Sequence, residues 1–132
     1  MTITRRAMLA CTAGFAAATP FAAMTQGMPA IHVLKDPNCG CCSAWIDILR
    51  KDGFTVTTES SFGTLLIRHK FEKGIPQNMT SCHTGEIEGY IVEGHVPVAD
   101  IRKLLDERPD AVGLAVPGMP YGSPGMGPED AR

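Results

Sequence analysis

The stretch Asn38-Cys39-Gly40-Cys41-Cys42 puts three thiols within four positions, and Cys82-His83 supplies a fourth thiol from far along the chain. Cys39 and Cys42 have the C-x-x-C spacing, so both can face one site across the first turn of a helix. Free N–H groups and the partial positive charge at such a helix start stabilise thiolates there. Gly40 lets the loop approach the site closely. Cys41 is a third thiol that a plain dithiol redox motif does not require. Zinc fingers take their ligands from two separated knuckles, whereas here Cys82 is the only distant thiol of the four. Cu(I) accepts low coordination and bridging thiolates, so several ions can share four sulfurs. The expected site is therefore a polynuclear Cu(I) centre on Cys39, Cys41, Cys42 and Cys82. The inert alternative is a Cys39–Cys42 disulfide with Cys41 and Cys82 packed as small hydrophobes. It gives no reason for a Cys-Gly-Cys-Cys string at a helix start.

Other donors lie nearby in the pattern. His95, in Glu93-Gly94-His95-Val96-Pro97, is a candidate ligand or hydrogen-bond partner. Met119 sits among Gly and Pro with little core to fill, and a thioether suits Cu(I) better than zinc. Met126 and Met79 rank behind it. Adjacent strand residues point to opposite faces, so Cys82 is expected to face the cluster, leaving His83 beside the site or purely structural. His32 and His69 carry no signal beyond ordinary surface or packing roles.

The elements that must position these groups follow from periodicity. Ile31–Lys35 suits a strand, broken by Asp36-Pro37-Asn38. A helix runs from Cys41 or Cys42 to Asp52, with Trp45, Ile48 and Leu49 on one face and Gly53 as its C-terminal stop. Phe54–Thr58 reads as a second strand, and Thr64–Lys73 as a second helix using Leu65, Leu66 and Phe71. Strands at Met79–Thr84 and Gly89–His95 are separated by Gly85-Glu86, and Pro97 opens a helix through Arg108. Residues 113–128 hold five Gly and four Pro and read as an irregular loop. The order β-α-β-α-β-β-α is that of an α/β thioredoxin-like fold, with a four-stranded mixed sheet flanked by helices. By analogy with that fold, Ile75-Pro76 is placed where a cis-proline would face the cysteines.

The 132-residue chain suits one domain. Arg5 and Arg6 precede an uncharged run from Ala7 to Ala23, interrupted by Pro20, which is too short and too weakly apolar for a permanent anchor. Residues 1–27 are expected to be an export signal, of the secretory or twin-arginine type, cleaved between Ala18 and Ala30. Cys11 follows Arg6 too closely to leave the apolar stretch a lipoprotein signal needs. Residues 28–112 would form the metal-binding domain, and 113–132 a Gly/Pro/Met-rich tail packing near the site. Loss of the leader removes two of 12 basic residues and no acid, leaving a net charge of about −4. No basic run points to nucleic acid. A framework of disulfides would spread its cysteines along the chain, and these are concentrated at one point.

Four blocks carry a family resemblance: Cys39-Gly40-Cys41-Cys42, Ser81-Cys82-His83-Thr84, Gly89-Tyr90-x-x-Glu93-Gly94-His95-Val96-Pro97, and Gly118-Met119-Pro120-x-Gly122-Ser123-Pro124-Gly125-Met126. In these the chain resembles the CopG-type periplasmic copper-resistance proteins, a family long catalogued as a domain of unknown function. The resemblance implies a thioredoxin-like fold, export to the periplasm and a cysteine-bridged copper site, with redox interconversion of Cu(I) and Cu(II) in prospect. Copper ions, and copper efflux or carrier proteins, are the implied partners. Two other classes compete. A thiol–disulfide oxidoreductase would use Cys39 as nucleophile and Cys42 as resolving thiol, leaving Cys41 dispensable. An iron–sulfur or zinc protein would use the same four cysteines.

Overall fold

A computed structural model describes residues 27–128. Residues 1–26 of the expected export signal, Cys11 among them, and the last four residues lie outside the described residues. Strand β1 (Ala30–Lys35) leads into helix α1 (Gly40–Lys51), then β2 (Thr55–Ser60) and α2 (Gly63–Glu72). A single 3-10 turn at Gln77–Met79 precedes β3 (His83–Ile87), β4 (Tyr90–Glu93), α3 (Val98–Glu107) and β5 (Gly113–Ala115). The sheet is mixed and five-stranded, in the order β2-β1-β3-β4-β5. β1 runs parallel to β2 and antiparallel to β3, β3 is antiparallel to β4, and β4 is parallel to β5.

Strand alternation decides what each face of the sheet carries. On one face Ile31, Val33, Ile87, Tyr90 and Val92 meet Trp45, Ile46 and Leu49 of α1 and Ile101 and Leu104 of α3 in a single core. Burying each such side chain is worth roughly 1.5–3 kcal/mol, and Trp45 at its centre is completely enclosed. On the other face lie Thr84, Glu86 and Glu93, reached by Lys70 and His69 of α2 and by Lys73 at its C-cap. Among the described residues no helix is long and apolar enough to cross a membrane.

The structure departs from the expected elements in several places. The β3–β4 turn is Glu88-Gly89, both at positive φ, and Gly85 is paired mid-strand with Val33 and Val92. Strand β3 therefore begins at His83, four residues later than expected, and Cys82 lies before it in irregular chain. Helix α2 buries Leu66 and Lys70, whereas Leu65 and Phe71 are 61% and 49% exposed. The acid opposite, Glu93, draws the lysine inward. The segment expected to be wholly irregular begins with a fifth strand, because Gly113–Ala115 completes the β4 edge. There is no cis peptide bond among the described residues, so Pro76 is trans and the cis-proline analogy fails.

Candidate metal centre

The turn after β1 delivers the first three thiols. The Asn38 N–H donates to the Asp36 carboxylate at 2.8 Å and the Cys39 N–H to the Asp36 carbonyl at 3.1 Å, a side-chain-supported turn that stops the strand. Cys39 then takes the N-cap position of α1, where its sulfur accepts the Cys42 N–H at 3.3 Å. Oxygen side chains normally do this work; a sulfur there is held at the positive end of the helix. Cys39 and Cys42 are joined as a disulfide, with their Cα atoms 5.3 Å apart. Cys41 is a free thiol whose sulfur lies 3.4 Å from that of Cys39.

Cys82 arrives from the other side. The four sulfurs of Cys39, Cys41, Cys42 and Cys82 all lie within 4.8 Å of one another. Cys41 and Cys82 are partly exposed, not packed away as the inert alternative requires. Burial pushes the Cys82 thiol up from 9.0 to about 11, and the neighbouring Cys41 adds to the shift. Without a cation the sulfur therefore keeps its proton at neutral pH, and a bound metal would have to displace it.

Two imidazoles converge on the same sulfur. His95 Nε2 is 3.1 Å and His83 Nδ1 3.3 Å from Cys82 Sγ. Cys82, His83 and His95 form a second group of donors, again within 4.8 Å of each other. The His95 tautomer follows from its other nitrogen. Nδ1 is 2.6 Å from the Pro124 carbonyl, which can only accept, so Nδ1 carries the proton. In the neutral ring the Nε2 lone pair then points at Cys82, the orientation a ligating histidine needs. His83 is fully buried, its ring 4.3 Å from that of Trp45 and 5.0 Å from that of His95. Burial, then the nearby His95, lowers its pKa to about 3, so the ring is neutral at all ordinary pH values. Its Nε2 is buried with no hydrogen-bond partner.

The structure thus brings together Cys39, Cys41, Cys42, Cys82 and His95, and adds His83. The expectation that His83 would face away rested on strand alternation, and Cys82 stands before the strand where alternation does not apply. Met119 is 53% exposed and follows Gly118, whose N–H donates to the Thr80 carbonyl at 3.2 Å. Met79 is 40% exposed on the 3-10 turn, Met126 is partly buried, and His32 pairs with Thr57 and Glu59 away from the cluster. The tail is held against the site by the Pro124–His95 bond and by Gly125, which lies directly on the first turns of α1. Sequence reasoning missed Glu93: its carboxylate accepts hydrogen bonds from Ser81 N–H and Thr84 Oγ1, each at 2.6 Å, on either side of Cys82-His83.

Two solved structures, both titled copper resistance protein CopG (forms 1 and 2), are 52% identical to the chain with TM-scores of 0.71. They cover 80% of this chain, and it covers 82% of form 2 and 81% of form 1. The chain belongs to the CopG copper-resistance family. The family model described as "Protein of unknown function, DUF411" matches residues 79–126, which hold Cys82, His83, His95 and Met119 but not the Cys39–Cys42 string. No curated protein matches the chain. Membership in the CopG family thus rests on the whole domain, and the cluster of cysteines that could hold metal sits where its two chain segments meet.

Proposed function

We propose that this protein holds copper as Cu(I), several ions per chain, in a site bridged by the thiolates of Cys39, Cys41, Cys42 and Cys82, and serves copper resistance outside the cytoplasm. The observation that carries this reading is the convergence of four sulfurs from two remote stretches within 4.8 Å, with two imidazoles sharing Cys82. Six donors exceed the four that one tetrahedral zinc takes. A sulfur common to both groups suits bridging between ions, and thiolate suits Cu(I). Imidazole also suits Cu(II), so His83 and His95 at one edge of a thiolate cluster support Cu(I)/Cu(II) interconversion. His95 is assigned as a ligand, and Met119 as a thioether donor from the tail. We infer further that the fold is thioredoxin-like: the order β2-β1-β3-β4, with one parallel and two antiparallel pairings, supports this, β5 being an addition. Residues 1–27 are assigned as an export signal to the periplasm, residues 28–112 as the metal-binding domain and 113–132 as its tail, with copper efflux or carrier proteins as partners.

The test is anaerobic purification, full reduction and titration with Cu(I) against a chromophoric chelator, with metal analysis. The expected result is several Cu(I) per chain, with most of that capacity lost in Cys41→Ser. Saturation below one copper per chain would remove the reading.

The Cys39–Cys42 disulfide at the start of α1 favours a second reading, a thiol–disulfide oxidoreductase. Cys39 would be the attacked or attacking sulfur and Cys42, fully buried, the resolving one. That protein would reduce insulin without copper, and Cys41→Ser would leave the activity intact.

A further inference from the structure

Lys70 and Glu93 form an ion pair of 2.6 Å in which the side chains are 3% and 1% exposed. Its surroundings are fully satisfied. Lys70 Nζ also donates to Thr84 Oγ1 at 2.9 Å, and the Thr84 hydroxyl donates to Glu93 Oε2 at 2.6 Å. The other carboxylate oxygen, Oε1, takes Lys70 and the backbone N–H of Ser81 at 2.6 Å. One carboxylate therefore grips the residue before Cys82 with one oxygen and the residue after His83 with the other.

We propose that Glu93 is a positioning residue for Cys82, holding the irregular Ser81-Cys82 segment so that its sulfur stays in reach of His95 and the α1 thiols. The proposal rests on the reading of Cys82 as a copper ligand. Stability alone does not account for the network, since a buried ion pair is seldom better than an apolar pair of the same size. Geometry does account for it. Cys82 has no strand ladder to fix it, and Ser81 is instead fixed from three directions. Glu93 accepts its N–H, its hydroxyl donates to the Gly118 carbonyl, and Gly94 (φ +74°) lies so close that a Cβ there would be 2.6 Å from the Ser81 side chain. Lys70 and Thr84 leave the carboxylate one orientation. The clamp works from the far side of the sheet, so it orders the sulfur without competing for the metal.

Two double variants separate positioning from charge pairing. Lys70→Met/Glu93→Leu removes both charges together with the acceptor for Ser81, and no unpaired charge is left to unfold the chain. Lys70→Met/Glu93→Gln removes the same charges but keeps an amide oxygen for Ser81 N–H. Alkylation of Cys82 by iodoacetamide in reduced, metal-free protein is followed by peptide mass spectrometry, and Cu(I) affinity by chelator competition. The Leu variant should alkylate about tenfold faster at Cys82 and bind Cu(I) about 10–100-fold more weakly, the range typical of lost partners behind a ligand. The Gln variant should restore both. A folded Leu variant that matches wild type in both measurements, or a Gln variant that restores neither, overturns the proposal.

Should the Leu variant not fold, wild-type amide exchange decides. The Ser81 N–H should exchange slowly although it lies outside any strand, and free exchange there overturns the clamp. Failure of the copper reading is seen separately, as a wild-type protein that binds no Cu(I) through Cys82, while alkylation and exchange still report on the clamp.

Discussion

Gly125 offers a way to loosen the site without touching any of its donors. Its φ is +88°, and a Cβ there would lie 2.8 Å from the Trp45 nitrogen, 3.0 Å from the Cys41 carbonyl oxygen and 3.2 Å from Trp45 Cα. All three are backbone atoms of α1 and cannot rotate aside. In Gly125→Ala the tail must retreat by roughly 0.5–1 Å to reach ordinary carbon contact distances. The neighbouring Pro124 carbonyl goes with it, and the 2.6 Å bond to His95 Nδ1 stretches to about 3.1–3.6 Å, at or past the edge of hydrogen-bond range. His95 then loses the group that sets both its tautomer and its ring angle. Loss of such a partner lowers metal affinity about 10–100-fold, or about 1.4–2.7 kcal/mol.

The left-handed backbone adds a separate cost of about 1–2 kcal/mol for any side chain, and Gly127→Ala measures that cost alone. Gly127 has φ +82°, and a Cβ there would have nothing within 4 Å. The assay is Cu(I) competition on both variants, with nitrogen-15 NMR of His95 in the metal-free protein. The expected outcome is weakened binding and a mixed His95 tautomer in Gly125→Ala, with near wild-type values in Gly127→Ala. Equal affinities in the two variants, or a His95 in Gly125→Ala still protonated only at Nδ1, would refute the role given to the tail.

Three further outcomes follow from the same geometry. His83 has its pKa lowered from 6.5 to about 3, so between those values the unfolded chain takes up a proton that the folded chain refuses. Stability of the metal-free protein is then full above pH 6.5 and falls toward pH 3, by up to about 1.4 kcal/mol per pH unit; denaturant melts of His83→Phe, which keeps a ring against Trp45, should show a shallower acid slope, and an identical slope would discount His83. Lys70→Met alone leaves Glu93 buried and uncompensated, and urea unfolding should show a loss of about 3–5 kcal/mol; a loss under about 1 kcal/mol would mean the pair is solvated. Disulfide sulfurs are poor ligands, so protein with Cys39–Cys42 oxidised should take up less Cu(I) than reduced protein, and only the reduced form should gain thermal stability strongly on loading; equal uptake by both forms would exclude Cys39 and Cys42 from the site.

Much of the fold was legible because long-period signals are robust. Trp45 and Leu49 of the expected α1 face are buried, with Ile46 and not Ile48 as their third apolar partner. The start of α1 at the cysteines and the α3 face built on Ile101 came out within a residue or two of expectation. Register was not legible, because Gly85-Glu86 reads as the turn, whereas the chain reverses at Glu88-Gly89, where the sequence pattern starts a strand. The pairing of Gly85 with Val33 and Val92 is a tertiary fact. β5 was hidden for the related reason that a three-residue edge strand needs only a neighbour with free backbone groups, not a pattern of its own.

The site was legible where residue type alone carries the chemistry, and obscure where position does. Four cysteines in two blocks read as one cluster whatever the register, and their sulfurs do converge. His83 reads as beside the site or structural because a shift of four residues in the start of β3 decides whether Cys82 obeys strand alternation. Glu93 was harder still. It ends an apolar run, Tyr90-Ile91-Val92, and an acid at a strand end ordinarily faces water. Only Lys70, coming from the last turn of α2, turns it into a buried acceptor, and Lys70 itself reads as one more cation on an exposed helix. Two residues that each look solvated become a buried unit once their elements lie on one face of the sheet. A search for such units from sequence would pair lone acids in apolar strands with lone bases on the helix that crosses them.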